Sequence, residues 1–346
     1  MSLKSQIIRL LVDAGDDFVS GNSLATALSV SRSAVWKAVE ALRADGFCIS
    51  AVTNRGYRLL DYGDVLSPAG VERYIRTGGV FTVEVRKTVT STNTVLRELA
   101  AAGAPEGYVL AAEEQTAGKG RLGRSFYSPA GHGVYFSLLL RPGLASAPQR
   151  AGLEPAAVRP ALKQGEAAFI TSAAAVAAAR AIESVLGVQV GIKWVNDLLL
   201  ADRKVCGILT EASVDIESGS LDHAVLGIGI NITAPESGYP DVISDVAAPV
   251  LESAAGAESV RCRIIASTLD NFWAFYENLS RRDFLDEYRR RSVVVGREIF
   301  VLSGSDRIPA RALAIDDDCR LVVRYQCGDT AALNAGEVSI RSGDGR

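Results

Sequence analysis

Apolar residues at Ile7, Ile8, Leu11 and Val12 recur at helical spacing and open a head segment whose pattern predicts three helices and a hairpin. Ser23 is placed to cap a second short helix, Leu24 to Leu28. The turn Ser29-Val30-Ser31 leads into a third helix from Arg32 to Leu42. On it Val35, Val39 and Leu42 share one face, while Arg32, Ser33, Trp36 and Lys37 lie largely elsewhere. Gly46 ends this unit, and residues 48–52 and 56–60 then alternate like two strands around Thr53-Asn54-Arg55. The layout is that of a winged helix-turn-helix, with a polar recognition helix and a wing carrying Arg55 and Arg58. A helical interaction module with no DNA role fits the same pattern.

A link, Asp61 to Ser67, precedes Pro68 and a longer region that mixes both periodicities. Strands are predicted over 80–89, 107–113, 133–141, 188–194, 204–212 and 223–232, and helices over 93–102, 170–186 and 261–291. The 170–186 helix is alanine-rich, a surface that packs closely on a sheet. Between Gly143 and Gly165 a Pro/Ala/Gly-rich segment reads as a surface insertion. From Val293 to Arg341, short strands with turns at Ser303–Asp306, Asp316–Asp318 and Cys327–Asp329 suit a small β-barrel. The fold class is therefore α+β, divided as a winged helix-turn-helix (1–62), a central mixed α/β domain (68–291) and a C-terminal barrel (292–346).

Composition narrows the function classes. At 346 residues the chain can bury two or three cores, and 48% hydrophobic with 22% charged residues is ordinary for a globular protein. Its apolar runs, such as Ala173 to Ala179, are too short and weak to span a membrane, and the N-terminus lacks a signal-peptide pattern. A cytoplasmic protein with no membrane partner is expected. The five cysteines are scattered without a CxxC pair, which predicts buried free thiols. With only His132 and His223, a histidine metal centre is excluded and no metal-ligating residues are assigned. Residues 1–60 hold seven Lys/Arg against five Asp/Glu, so a mildly basic head precedes an acidic body in a chain of net charge −3.

The chemistry concentrates in the loop Gly118-Lys119-Gly120-Arg121-Leu122-Gly123-Arg124, where flexible backbone meets cationic donors suited to phosphate or carboxylate. It matches neither GxxxxGK[ST] nor GxGxxG. Gln115 just before it offers an amide donor and acceptor for a neutral polar ligand. Ser91-Thr92-Asn93 stand where a strand gives way to a helix, a place for caps. Further on come Lys193-Trp194-Val195-Asn196-Asp197, Lys204, and Gly227-Ile228-Gly229-Ile230-Asn231. Together these point to an enzyme that activates a carboxylic acid with a nucleotide. Joining two anions needs fixed cations, for which Arg121, Arg124 and Lys204 are the candidates. Taken singly, the loop also reads as a solvated turn and Asp197 as a turn cap.

The order STN, EEQTAGKGRLGRSFYSPAGHGVYFSLLLRP, IKWVNDLLLADRKVCGILTE, GIGIN and GEVSIRS resembles the biotin protein ligases over almost the whole chain. The head, ending in RGYRLL, resembles the bifunctional branch that also represses the biotin operon. The resemblance implies a class II synthetase-like, SH2-like catalytic domain with an SH3-like barrel. It implies synthesis of biotinyl-5′-adenylate from biotin and ATP, with Mg²⁺ on the phosphates, and transfer to a lysine of a biotin carboxyl carrier domain. Ser91, Thr92, Asn93, Gln115, Gly118, Lys119, Arg121 and Lys204 would bind biotin or its activated carboxyl. Arg121, Arg124, Trp194, Asn196, Asn231 and Arg341 would face the nucleotide; Arg121, Lys204 and Asp197 would be catalytic. Arg32, Ser33, Trp36, Lys37, Arg55 and Arg58 would meet operator DNA, bound by an adenylate-loaded homodimer. Lys119 replaces the family's usual arginine, Val195 the proline of KWPND (loosening the turn before Asp197), and Phe126 a frequent tryptophan. The alternatives are a biotin-sensing regulator with little ligase activity, and a lipoyl or octanoyl ligase.

Overall fold

A computed structural model of the chain describes residues 3–44, 46–61, 64–143, 162, 166–215, 217, 219–253, 259–303 and 306–340. The head consists of α1 (Leu3–Asp13), α2 (Gly21–Leu28), α3 (Arg32–Ala44) and the antiparallel hairpin β1 (Cys48–Val52) and β2 (Gly56–Asp61). Ile7, Ile8, Leu11, Leu24, Val35, Val39 and Leu42 meet in its core, where the spacing placed them. The second helix starts earlier than expected. Ser20, with extended backbone, accepts from Ser23 N at 3.0 Å, so Ser20 rather than Ser23 is the cap.

The central region runs α4 (Pro68–Glu72), β3 (Thr82–Val89), α5 (Thr92–Ala101), β4 (Tyr108–Gln115), β5 (Gly133–Leu140), α6 (Ala167–Leu186), β6 (Gly191–Lys193), β7 (Asp197–Leu200), β8 (Arg203–Val214), β9 (Leu221–Asn231), α7 (Asp241–Ser244), α8 (Val260–Tyr276) and α9 (Leu285–Arg290). Its seven strands form one sheet in the order β3-β4-β5-β9-β8-β7-β6. Only β3 and β4 are parallel, which demands a crossover, and α5 provides it. One face carries α6 and α8; the other packs Leu110, Leu139 and Val225 against Leu96 and Ala100 of α5. From Ala173 to Ala181 the alanines of α6 are fully buried, and their small size lets α8 approach with Phe272, Trp273 and Tyr276. Although α6 is long and apolar enough to cross a membrane, 67% of that stretch is buried in the core. Asp197-Leu198-Leu199-Leu200 forms a strand that the pattern did not show. The expected 261–291 helix is broken by a 3₁₀ turn at Leu279–Arg281, because Asn278 leaves helical backbone and Arg282 is left-handed (φ 57°).

The remainder forms a five-stranded antiparallel sheet from β10 (Glu298–Ser303), β11 (Asp306–Ile315), β12 (Leu321–Tyr325), β13 (Thr330–Leu333) and β14 (Glu337–Ile340), ordered β13-β12-β11-β10-β14. Its core residues Ile299, Ala312, Leu321 and Val323 are continuous with the central core. Of the five free cysteines, Cys206, Cys262 and Cys319 are buried, but Cys48 and Cys327 are exposed, contrary to expectation. Most of the Gly143–Gly165 segment lies outside the described residues.

A buried charge cluster fixes the connection from head to body. Arg261, at the start of α8 and 5% exposed, donates its backbone N–H (2.9 Å) and Nε (2.6 Å) to the Asp64 carboxylate. Its two terminal nitrogens go to Glu113 of β4 and to the Asp64 carbonyl. Every nitrogen of the guanidinium is thereby engaged.

Candidate active site

The cleft is floored by bare backbone. Strands β8 and β9 pair Gly207 with Gly229 and Leu209 with Gly227. A Cβ at Gly227 would stand 2.0 Å from Asn93 Oδ1, and one at Gly229 would stand 2.5 Å from the Phe126 ring. These positions must be glycine so that Asn93 and Phe126 can lie directly on the sheet. Asn93 is then locked: it donates to Glu211 Oε2 (2.8 Å) and accepts from Ser137 Oγ (2.6 Å). Gly227→Ala is expected to displace Asn93 and break its bonds to Ser137 and Glu211, costing about 1–3 kcal/mol. Chemical denaturation would check it; a variant as stable as the parent would refute this role of the glycine.

At one end of the cleft stand Ser91, Thr92 and Gln115. Gln115 Oε1 accepts from Thr92 N (2.8 Å) and Thr92 Oγ1 (3.1 Å), and its Nε2 donates to Ser128 Oγ at 2.8 Å. The amide carbonyl is thus already satisfied, while Nε2 keeps a second hydrogen. Ser91 is the N-cap residue of α5 and 2% exposed, yet its side chain makes no capping bond, contrary to the expectation for this triplet. Its hydroxyl lines the cleft instead. Gly118 passes so close that a Cβ would lie 2.3 Å from the Phe126 carbonyl.

The other end is cationic. Lys204 Nζ lies 2.7 Å from Asp197 Oδ1, a charge contact without a well-aligned hydrogen bond, and 6.0 Å from the Phe126 ring centre. Strands β7 and β8 pair Asp197 with Gly207, which brings these two side chains together. Arg121 donates to Asn196 Oδ1 (2.9 Å) and to the Gly336 carbonyl (3.0 Å), and Arg124 pairs with Glu337 at 2.6 Å. Both arginines therefore tie the glycine loop to the C-terminal sheet. Lys119 also lines the cleft. Behind the floor, burial pushes the Cys206 thiol well above its ordinary range, so it supplies no thiolate beside Lys204.

Not every expected residue faces this space. Trp194 is buried in the core and donates Nε1 to the Cys319 carbonyl at 2.9 Å, linking the central and C-terminal sheets. Asn231 is buried at the end of β9 and reaches the Ala248 carbonyl at 3.3 Å. Arg341 lies outside the described residues. The turn at Val195 is not loose: Tyr288 Oη donates to its carbonyl (3.0 Å), and Asn196 exchanges hydrogen bonds with Ile208 (2.9 and 3.0 Å). In the head, Arg32, Ser33, Trp36, Lys37 and Arg55 are exposed, Trp36 to 55%, while Arg58 is half-buried. Sequence reasoning missed Gly207, Ser137 and Glu211 as parts of the site. For the floor a signal existed, since glycines at alternate strand positions leave one face bare.

A helix-turn-helix head joined to a sheet with a cationic glycine-loop cleft defines a class, the DNA-binding acyl-group ligases. Residues 4–58 match a helix-turn-helix domain, and residues 85–231 match the biotin/lipoate A/B protein ligase family. The bifunctional ligase/repressor BirA of Bacillus subtilis is 33% identical over 94% of this chain and 95% of its own length. That of Escherichia coli is 27% identical over 98% and 97%. The structure of the Aquifex aeolicus biotin protein ligase in complex with biotin and ATP superposes with a TM-score of 0.56 at 25% identity, covering 75% of this chain and 98% of that one. The chain belongs to the biotin protein ligases, in the bifunctional ligase/repressor branch.

Proposed function

We propose that the protein joins biotin to the AMP moiety of ATP with release of pyrophosphate, transfers the biotinyl group to a lysine of a carboxylase's carrier domain, and represses transcription from operator DNA. The observation that carries the ligase reading is the cleft itself, with hydroxyl and amide groups at one end and Lys204, Asp197 and Arg121 at the other. Such a cleft suits a neutral polar head and a carboxylate tail. In the first step a biotin carboxylate oxygen attacks the α-phosphorus of ATP, and pyrophosphate departs with the electrons of the broken P–O bond. Ser91, Gln115 Nε2 and the Gly118 backbone hold the ring of biotin; Lys119, Arg121 and Lys204 balance the charge of the meeting anions. Arg124, Asn196 and Arg341 serve the nucleotide side, with Asn231 and Trp194 supporting them from the core. In the second step the acceptor amine attacks the acyl carbon, AMP leaves, and Asp197 takes or steers the amine's proton.

Mg²⁺ enters with the nucleotide. Among the described residues no three His, Cys, Asp or Glu side chains gather, and Asp197 already faces Lys204, so phosphate oxygens and water would supply its ligands. The work is divided among residues 1–62 for DNA, 68–291 for ligation and 292–346 for covering the loop. The adenylate-bound form pairs as a homodimer, presenting two copies of α3 and the wing to an inverted repeat.

The test is ATP–pyrophosphate exchange with biotin, lipoate, octanoate or no acid. Stimulation by biotin alone is expected. Exchange driven by lipoate or octanoate would replace the substrate assignment, and biotin binding without exchange would leave a sensor in place of an enzyme.

A further inference from the structure

Beside the wing stands an aromatic residue that the ligase chemistry does not use. Phe18 lies in the loop between α1 and α2, beside Val19, whose backbone exchanges hydrogen bonds with Tyr57 of β2 at 2.8 and 2.9 Å. The two chains approach so closely that a Cβ on Gly56 (φ +107°) would stand 2.1 Å from the Val19 carbonyl. This pairing carries the Phe18 ring to both wing arginines. The guanidinium carbon of Arg55 is 4.5 Å from the ring centre, and that of Arg58 is 4.8 Å away.

The surroundings make that arrangement informative. The same loop contains Asp16 and Asp17, and Asp13 ends α1 just before it; any of these could capture a nearby arginine. Among the described residues, neither Arg55 nor Arg58 forms an ion pair with them; Arg58 reaches only the Asp16 carbonyl, at 3.3 Å. An ion pair would consume the in-plane N–H donors of a guanidinium, whereas an aromatic contact can hold the cation through its flat face and leave those donors open. Arg58 is half-buried, but Arg55 is exposed. We propose that Phe18 is a DNA-positioning residue, which holds Arg55 against the wing with its donors free for a backbone phosphate while Arg58 braces the ring. The inference rests on the DNA-binding reading and adds a residue that neither the helix nor the wing pattern marks.

The experiment measures binding of the full chain, with biotin and ATP, to a duplex that the wild type selects from a random-sequence pool. Phe18→Leu is expected to weaken binding about two- to fivefold, the loss of one exposed cation–aromatic contact. Phe18→Tyr, which keeps the ring, should bind like the parent. Arg55→Ala should weaken binding and lower the salt slope by about one phosphate contact. On the Arg55→Ala background, Phe18→Leu should add nothing. Carrier biotinylation by all variants should match the wild type, as expected for residues outside the ligation cleft. Unchanged far-UV circular dichroism and thermal unfolding should show that the head keeps its fold. Independent, multiplying effects of Phe18→Leu and Arg55→Ala would overturn the positioning role, as would unchanged binding by Phe18→Leu. Selection of no duplex by the wild type would instead overturn the DNA-binding reading, and the role of Phe18 with it.

Discussion

Replacing Lys204 by Gln is expected to slow biotin-dependent pyrophosphate exchange by about 10²–10³-fold, the usual effect of removing one fixed donor from developing transition-state charge. The ammonium sits 2.7 Å from Asp197, at the end of the cleft where a carboxylate and an α-phosphate would meet. Stability should hardly change. The pair keeps 33% and 21% of its side-chain surface exposed, and so exposed an ion pair contributes at most about 1 kcal/mol. Lys204→Arg should recover only part of the rate, since a planar fork does not occupy the position of a compact ammonium. A Lys204→Gln protein that exchanges within about threefold of the parent, against the expectation from preorganised charge, would remove Lys204 from the chemistry.

The largest expected loss of stability comes from Arg261→Met. Removing the cation leaves the carboxylates of Asp64 and Glu113 facing one another without compensation, which costs about 3–5 kcal/mol for a buried cluster. The pH dependence has a definite sign. Burial pushes the Asp64 carboxyl above its ordinary value of 3.8, outweighing the opposing pull of Arg261. For Arg261, desolvation opposes the charge, but the two carboxylates prevail and hold the guanidinium protonated. A carboxyl raised on folding contributes most below its ordinary value, and that contribution is lost as pH rises through the folded value. Without Arg261 the folded value of Asp64 rises further, so the deficit of the variant should be largest near neutral pH and shrink toward about pH 5. Urea denaturation of both proteins at the two pH values would measure it. A deficit that grows on acidification would contradict the account.

Much of this protein is determined by local sequence. The head follows from the spacing of Ile7, Leu11, Val35 and Val39, because a short helix on a small core has one way to bury such a stripe. The alanine run of α6, the strand Gly133–Leu140 and the cationic loop are equally local, since side-chain periodicity and glycine freedom act within a few residues. The 261–291 helix misled because propensity does not see Asn278 and Arg282 leaving helical backbone under packing.

What the tertiary structure alone decided is which residues meet. Nothing near Trp194 in the sequence indicates that its indole bonds to Cys319, 125 residues away, and so turns inward. The pairing of Asp197 with Gly207 brings Lys204 onto Asp197, and the sheet order places Arg121 against Gly336. The carboxylates that close around Arg261 come from the linker and from β4. Periodicity fixes which face of an element is buried, but the register between elements is set by long-range packing. The composition of the site therefore became definite only when the strands of the sheet were laid side by side.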